Sequence, residues 1–275
     1  RLTNIEKKQY GYILPLKWSG WVDSDVRSVA QASLGHTGYD MVNDKYEYKQ
    51  MATIMDSYLK MYKDGSCYPG EESIDNDQAR ALFASGNIGM KMAFSFDVGV
   101  LNDQFPATCD WGVAPLPVLD ENNKYFQSMT ITKSWTINVK GAKEYGDKIM
   151  KVMEFLYGDY FVGEAYRLGV SLPYNSKIVE LIKLDDSAKN GWKEFGDLVK
   201  ISRPILSEPS IDSSNLKDLQ SRFVEEVFTG KKTSEQMLAE YDNDIKIAKD
   251  TFYSLHPNDN PKECVNTLWN IKRDD

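Results

Sequence analysis

The stretch from Asp77 to Asn102 constrains this chain's fold more than any other. Ala79, Leu82 and Phe83 fall at helical spacing, Asp75 to Asp77 offer helix-starting side chains, and Gly86 with Asn87 supplies a left-handed stop. Ile88, Met90, Met92 and Phe94 then alternate with smaller or polar residues, as a buried strand does. Ser95, Phe96 and Asp97 follow at the strand's carboxyl end, where a new helix can start. In open α/β sheets ligands gather beyond such carboxyl ends, so Phe96 marks the first place to expect one.

The rest of the chain reads the same way. Tyr10 to Leu16 is a short buried strand, followed by an aromatic loop of Trp18, Ser19, Gly20 and Trp21. Tyr48, Met51, Met55, Tyr58, Leu59 and Tyr62 form a helical stripe, with Asp44 and Glu47 spaced for a reciprocal cap and Gly65 at the end. Short strands are expected at Trp111 to Ala114 and Ile131 to Val139, the second with Trp135, Ile137 and Val139 on one face. Helices follow through Tyr145 to Leu156, Phe161 to Leu168 and Leu216 to Val227, and Thr233 with Gln236 caps another through Phe252. From Pro257 onward the tail reads as irregular. Strands alternating with helices predict an α/β fold, with a helical surplus after Gly141.

Phe83, Gly86 and Met90 followed by aromatic Phe96, together with DWGVAPLP at Asp110 to Pro117, SWTIN at Ser134 to Asn138, LGVSLPYN at Leu168 to Asn175 and FTGKKTSEQML at Phe228 to Leu238, carry a family likeness. Their order and spacing resemble the extracellular solute-binding proteins of sugar ABC transporters, the family that includes maltose-binding protein. The resemblance implies a type II periplasmic-binding-protein-like lobe, a small mixed sheet flanked by many helices. It also implies a fragment lacking most of the first lobe, since family members carry over a hundred residues before the segment that YGYILPL resembles. On that reading residues 1–117 are a second-lobe strand and helix segment with ligand-facing aromatics. Residues 118–167 are a crossover and remnant of the first lobe, and 168–275 the helical remainder of the second lobe and the tail.

Composition narrows the chemistry. The 275 residues, 41% hydrophobic and 27% charged, can bury a real core. A net charge of -8 with only short basic runs argues against nucleic acid. No apolar run is long enough to span a bilayer, and the first ten residues lack the apolar core of a signal peptide. Cys67, Cys109 and Cys264 are too few and scattered for a disulfide framework, and read as buried or inert thiols. His36 and His256 lie far apart without other ligands at metal spacing, and read as surface residues. No catalytic nucleophile elbow, phosphate loop or zinc-protease motif occurs, so no metal, cofactor or enzymatic activity is expected.

A sugar offers apolar C–H faces and a rim of hydroxyls, so a site needs aromatic plates beside short polar groups. Phe96 lies where the family places a stacking Trp, in a Phe94-Ser95-Phe96 sequence that departs from the usual G-x-W. Asp97 serves either as a helix-start residue or as a hydroxyl acceptor. The ligand set expected from residues and resemblance together is Phe96, Trp21, Trp18, Asp97, Ser95, Trp135, Ser128 and Asn215. Trp21 is favoured over Trp18 as the cleft-lining indole, and Asn215 falls in a helix-start region where the family's further aromatic is missing here. Trp111 and Trp192 read as structural, and Tyr174 with Asn175 as a turn.

The expected function is non-catalytic capture of a mono- or oligosaccharide for a membrane permease of the ABC class. The protein would be a monomer, lipid-anchored outside the cell membrane or periplasmic. A carbohydrate-active enzyme using Asp23 and Asp97 is the alternative, with a protein-interaction domain behind it.

Overall fold

The computed structural model describes residues 2–130, 134–269 and 271–273. β1 (Tyr10–Tyr12) leads through a loop at Pro15 and a wide π-type turn, Val22–Arg27, into α1 (Ser28–Leu34). The hairpin of β2 (Tyr39–Asp40) and β3 (Lys45–Tyr46) and a 3-10 turn, Tyr48–Met51, precede α2 (Ala52–Lys63). α3 (Asn76–Ala84), β4 (Ile88–Met90) and α4 (Asp97–Gly99) form the helix, strand and helix unit expected from the sequence. β5 (Gln127–Met129) is followed by α5 (Val139–Tyr157), α6 (Asp159–Arg167), α7 (Ser176–Leu181) and α8 (Trp192–Leu198). β6 (Ser202–Pro204), α9 (Leu219–Arg222) and the long α10 (Ser234–Leu255) complete the order.

The strands pair two by two, β1 with β4 and β5 with β6 in parallel and β2 with β3 antiparallel. Local rules account for several boundaries. Asp75 and Gln78 cap α3 reciprocally, Thr233 and Gln236 cap α10, and Gly86 turns the chain between α3 and β4 at a φ of 78° that a side chain would strain.

The cap expected from Asp44 and Glu47 does not form. Asp44 instead accepts from the Tyr39 hydroxyl at 2.6 Å and the Lys249 ammonium at 2.5 Å. The orphan amides of Tyr48 and Lys49 donate to the Asp242 carboxylate on α10, at 2.6 and 3.0 Å. A carboxylate nearly two hundred positions away has taken over a local cap, because α10 packs directly on this turn.

Other expectations change as well. Among the described residues, Trp111 to Ala114 forms no strand and neither does 134–138 before α5 begins at an Asn138 cap, while 131–133 fall outside the described residues. β4 is shorter than its alternation suggested and leaves Met90 51% exposed. His36 is buried, not on the surface. Its ring meets Gln50 Oε1 at 3.3 Å, accepts the Gly38 amide at Nδ1, and has a pKa lowered by burial. The three cysteines are unpaired, and burial pushes the Cys67 thiol up to about 12.

The main core joins the β1 loop, α1, α2, α9 and α10 through Trp21, Ala30, Met55, Leu219, Met237 and Leu238, with Phe223 just after α9, all buried. Ile13, Ile74, Ala79 and Ile88 form a small layer between the β1–β4 pair and α3. A separate cluster of Val98, Tyr166, Val179, Trp192, Phe195 and Val199 binds α4, α6, α7 and α8, with the Trp192 indole N–H donating to the Tyr166 carbonyl at 2.9 Å.

Candidate functional site

The parallel β1–β4 pair brings two carboxyl ends side by side, and each delivers aromatic residues. From β1 the chain runs through Pro15 to Trp18. From β4 it runs through Met92 to Phe94 and Phe96.

The first loop is clamped from a distance. The Gln220 side chain on α9 donates to the carbonyls of Leu16 and Trp18, at 2.9 and 2.7 Å, and accepts from the Val22 amide. Gly20 completes the geometry, since a Cβ there would meet the Trp18 ring at 2.5 Å. The indole therefore folds back over a bare backbone, half-buried against the core, rather than projecting freely. A single carboxylate anchors the π-type turn beyond the loop: Asp25 accepts from the Tyr12 hydroxyl at 2.6 Å and from the Ser24 hydroxyl. Burial pushes its pKa up to about 6, against the opposing pull of those two bonds and the Lys91 charge.

The second loop closes on itself. The Phe94 amide donates to Asp97 Oδ2 at 3.0 Å, and the Asp97 amide donates back to the Phe94 carbonyl at 2.9 Å. This tight turn lays the rings of Phe94 and Phe96 nearly parallel, 10° apart with centroids at 5.4 Å. Phe96 is 57% exposed. Asp97 is buried, holds Arg80 at 2.7 Å and lies 3.6 Å from the Lys91 ammonium. Burial lowers the Lys91 pKa, with Asp97 pulling it back up.

Two recesses flank the Pro15 to Gly20 loop. One is a narrow void of about 10 Å³, room for a single water, lined by Trp18, Asp25, Lys91 and Phe94 among others. The other is open and polar, about 200 Å³, lined by Ser19, Asp23, Arg27, Tyr48, Asp218 and Gln220 together with Val22, Leu219 and Tyr241. Its Arg27 guanidinium is already engaged, donating to the Thr37 carbonyl at 2.7 Å, to Asp23 at 3.0 Å and to Glu208.

The expected ligand residues divide sharply. Trp18 lines a recess, and Phe96 stands exposed beside Phe94, with half-buried Ser95 between them. Trp21 is a core residue and not a cleft wall: it is fully buried, 5.2 Å from Phe223 and 5.5 Å from Tyr58. Its indole turns inward because the π-type turn beginning at Val22 rolls it onto α2 and α9. Asp97 faces Arg80 and Lys91 rather than solvent, so its carboxylate is held in ion pairs and is not presented as a rim acceptor. Ser128 sits in β5 with a buried hydroxyl that has no hydrogen-bond partner among the described residues, Trp135 is 55% exposed ahead of α5, and Asn215 lies in an exposed turn before α9, which Asp218 caps. None of these three lines either recess. Arg27, Asp218 and Gln220 were missed by sequence reasoning because each reads as ordinary helix chemistry. Only tertiary packing brings them to one opening.

No family model and no curated protein sequence matches the chain. Solved structures do. The binding protein MsmE of Bacillus subtilis, in an open conformation, superimposes with a TM-score of 0.62 at 12% identity over 90% of this chain. The fold is shared with this binding protein. A sugar transporter protein of Bacillus licheniformis, in complex with stachyose, matches at a TM-score of 0.51 and 13% identity over 89% of the chain. At such identities the likeness is one of fold. The chain spans 62% of the length of each of these proteins. Among the described residues of this binding-protein fold, no helix is long and apolar enough to cross a membrane, and no cluster of His, Cys, Asp and Glu could hold a metal ion.

Proposed function

We propose that this chain binds a neutral oligosaccharide without chemical turnover, as part of the solute-binding component of an ABC importer. The observation that carries the reading is that Trp18 and Phe94 meet at one void, with Phe96 stacked on Phe94, at the carboxyl ends of one parallel strand pair, while Ser19 of the same loop lines an open recess of hydroxyl, amide and carboxylate groups. Aromatic faces suit the C–H surface of a sugar ring, and the recess suits its hydroxyls. Neutrality is supported by Arg27, whose donors already serve Asp23, Glu208 and Thr37 and offer no free fork to an anion. The stachyose held by one fold neighbour makes that tetrasaccharide a reasonable first probe.

The reading extends to a membrane permease as partner, a location outside the cell membrane, and action as a monomer. It also assigns 118–167 to the crossover and first-lobe remnant. Support for that last assignment comes from the exposure of the large apolar side chains of Trp135, Val139, Val152, Phe155 and Tyr160.

The test is intrinsic fluorescence of the chain, whose six Trp residues make it a sensitive reporter, titrated with stachyose and a panel of gluco-, galacto- and fructo-oligosaccharides. Saturable binding to a neutral sugar is expected, with weakening in Trp18→Ala and Phe96→Ala and no product by chromatography. A flat response to the whole panel, or release of free sugars, would sink the proposal.

A further inference from the structure

We infer that Arg80 is a positioning residue for the aromatic platform, holding the Phe96 ring in place for the sugar. The inference rests on the sugar-binding reading above. Arg80 projects from α3 and is itself largely buried, its side chain 12% exposed. Its Nε and Nη2 both reach Asp97 Oδ1 at 2.7 Å, while Nη1 reaches Asp77 at 2.7 Å. Its Cζ lies 5.4 Å from the centre of the Phe96 ring.

One guanidinium therefore contacts both the ring and the carboxylate that closes the turn on which Phe94 and Phe96 stand. A planar fork with a π-stacking face is the group that can do both at once, and lysine cannot. Phe96 gains an ordered position while more than half of it stays open to solvent, as a binding plate requires. Pre-ordering an exposed ring removes part of the entropy that a ligand would otherwise have to offset.

The neighbourhood also makes the idea testable. Lys91 lies 3.6 Å from Asp97, so replacing Arg80 leaves a cation beside the buried carboxylate and the fold has a means of surviving. The experiment places 4-fluorophenylalanine at position 96 in the full chain and compares wild type, Arg80→Lys and Arg80→Met by fluorine NMR, thermal melting and stachyose titration. Arg80→Met is expected to shift and narrow the residue 96 resonance and to weaken stachyose binding roughly three-fold. Arg80→Lys should give a smaller change in the same direction.

A variant that melts earlier but leaves the residue 96 resonance unchanged would show that Arg80 is only structural, and would overturn the inference. Should Arg80→Met fail to fold, Arg80→Lys decides, since an unmoved resonance there counts against it equally. A wild-type chain that binds no sugar would defeat the sugar reading instead, while the fluorine signal still reports whether Arg80 holds the ring.

Discussion

α10 and α5 are both long, amphipathic and capped by a side chain at the first turn, yet they end in opposite environments. α10 spans 22 residues and buries Met237, Leu238, Tyr241, Ile245, Ala248 and Ser234 against α2 and the turn before it. α5 spans 19 residues, interrupted by non-helical backbone at Tyr145 (φ -130°), and buries none, with α6 as its principal neighbour through Phe155, which meets Phe161 at 5.6 Å. Apolar periodicity thus fixes which face of a helix wants a partner without saying whether one is present.

The largest expected effect is in the packed region, at Asp97. Asp97→Ala strips a buried partner from Arg80 and Lys91 and should cost on the order of 3–5 kcal/mol in urea unfolding. A loss under about 1 kcal/mol would mean that the carboxylate is not part of the fold. Next comes Leu238→Ala on α10, expected to cost about 2–5 kcal/mol because its site is fully enclosed.

Acid titration sharpens the same contrast. Burial raises Asp25 from its ordinary value of 3.8 to about 6, so the folded state favours the protonated carboxyl. Its contribution is fully present below pH 3.8 and is lost as pH rises through about 6, a difference on the order of 3 kcal/mol. Stability of the wild type relative to Asp25→Asn should therefore fall between about pH 4 and 6, and parallel curves would refute the burial argument. Smallest of all is Phe155→Ala on α5, 55% exposed, which should change stability by under about 0.5 kcal/mol. A cost matching that of Leu238→Ala would erase the comparison between the two helices.

Much of this fold was legible locally. The Asp75–Gln78 and Thr233–Gln236 caps and the Gly86 turn follow from side chains that satisfy backbone groups within about four positions, so neighbours in sequence suffice to specify them. The position of Phe96 at a strand's carboxyl end was readable for the same reason. Of the two tryptophans of the 18–21 loop the sequence favoured Trp21 as the cleft indole, since both look like surface aromatics in a Ser-Gly turn, but the structure buries it. Their fates depend on Phe223 and Tyr58, which enclose one, and on Gly20 and Gln220, which shape the seat of the other.

Sequence by itself determined the α/β class, the boundaries of α3 and α10 and the aromatic strand end, because these follow from period, caps and turns acting over a few residues, whereas α1, α7 and α8 were not read from it. Tertiary structure alone decided that Asp97 is an ion-pair partner, that Asp242 caps a turn far along the chain, and that Arg27, Asp218 and Gln220 share one opening. Those outcomes depend on which distant charges and faces meet once water is excluded, and desolvation and ion pairing act through space rather than along the chain.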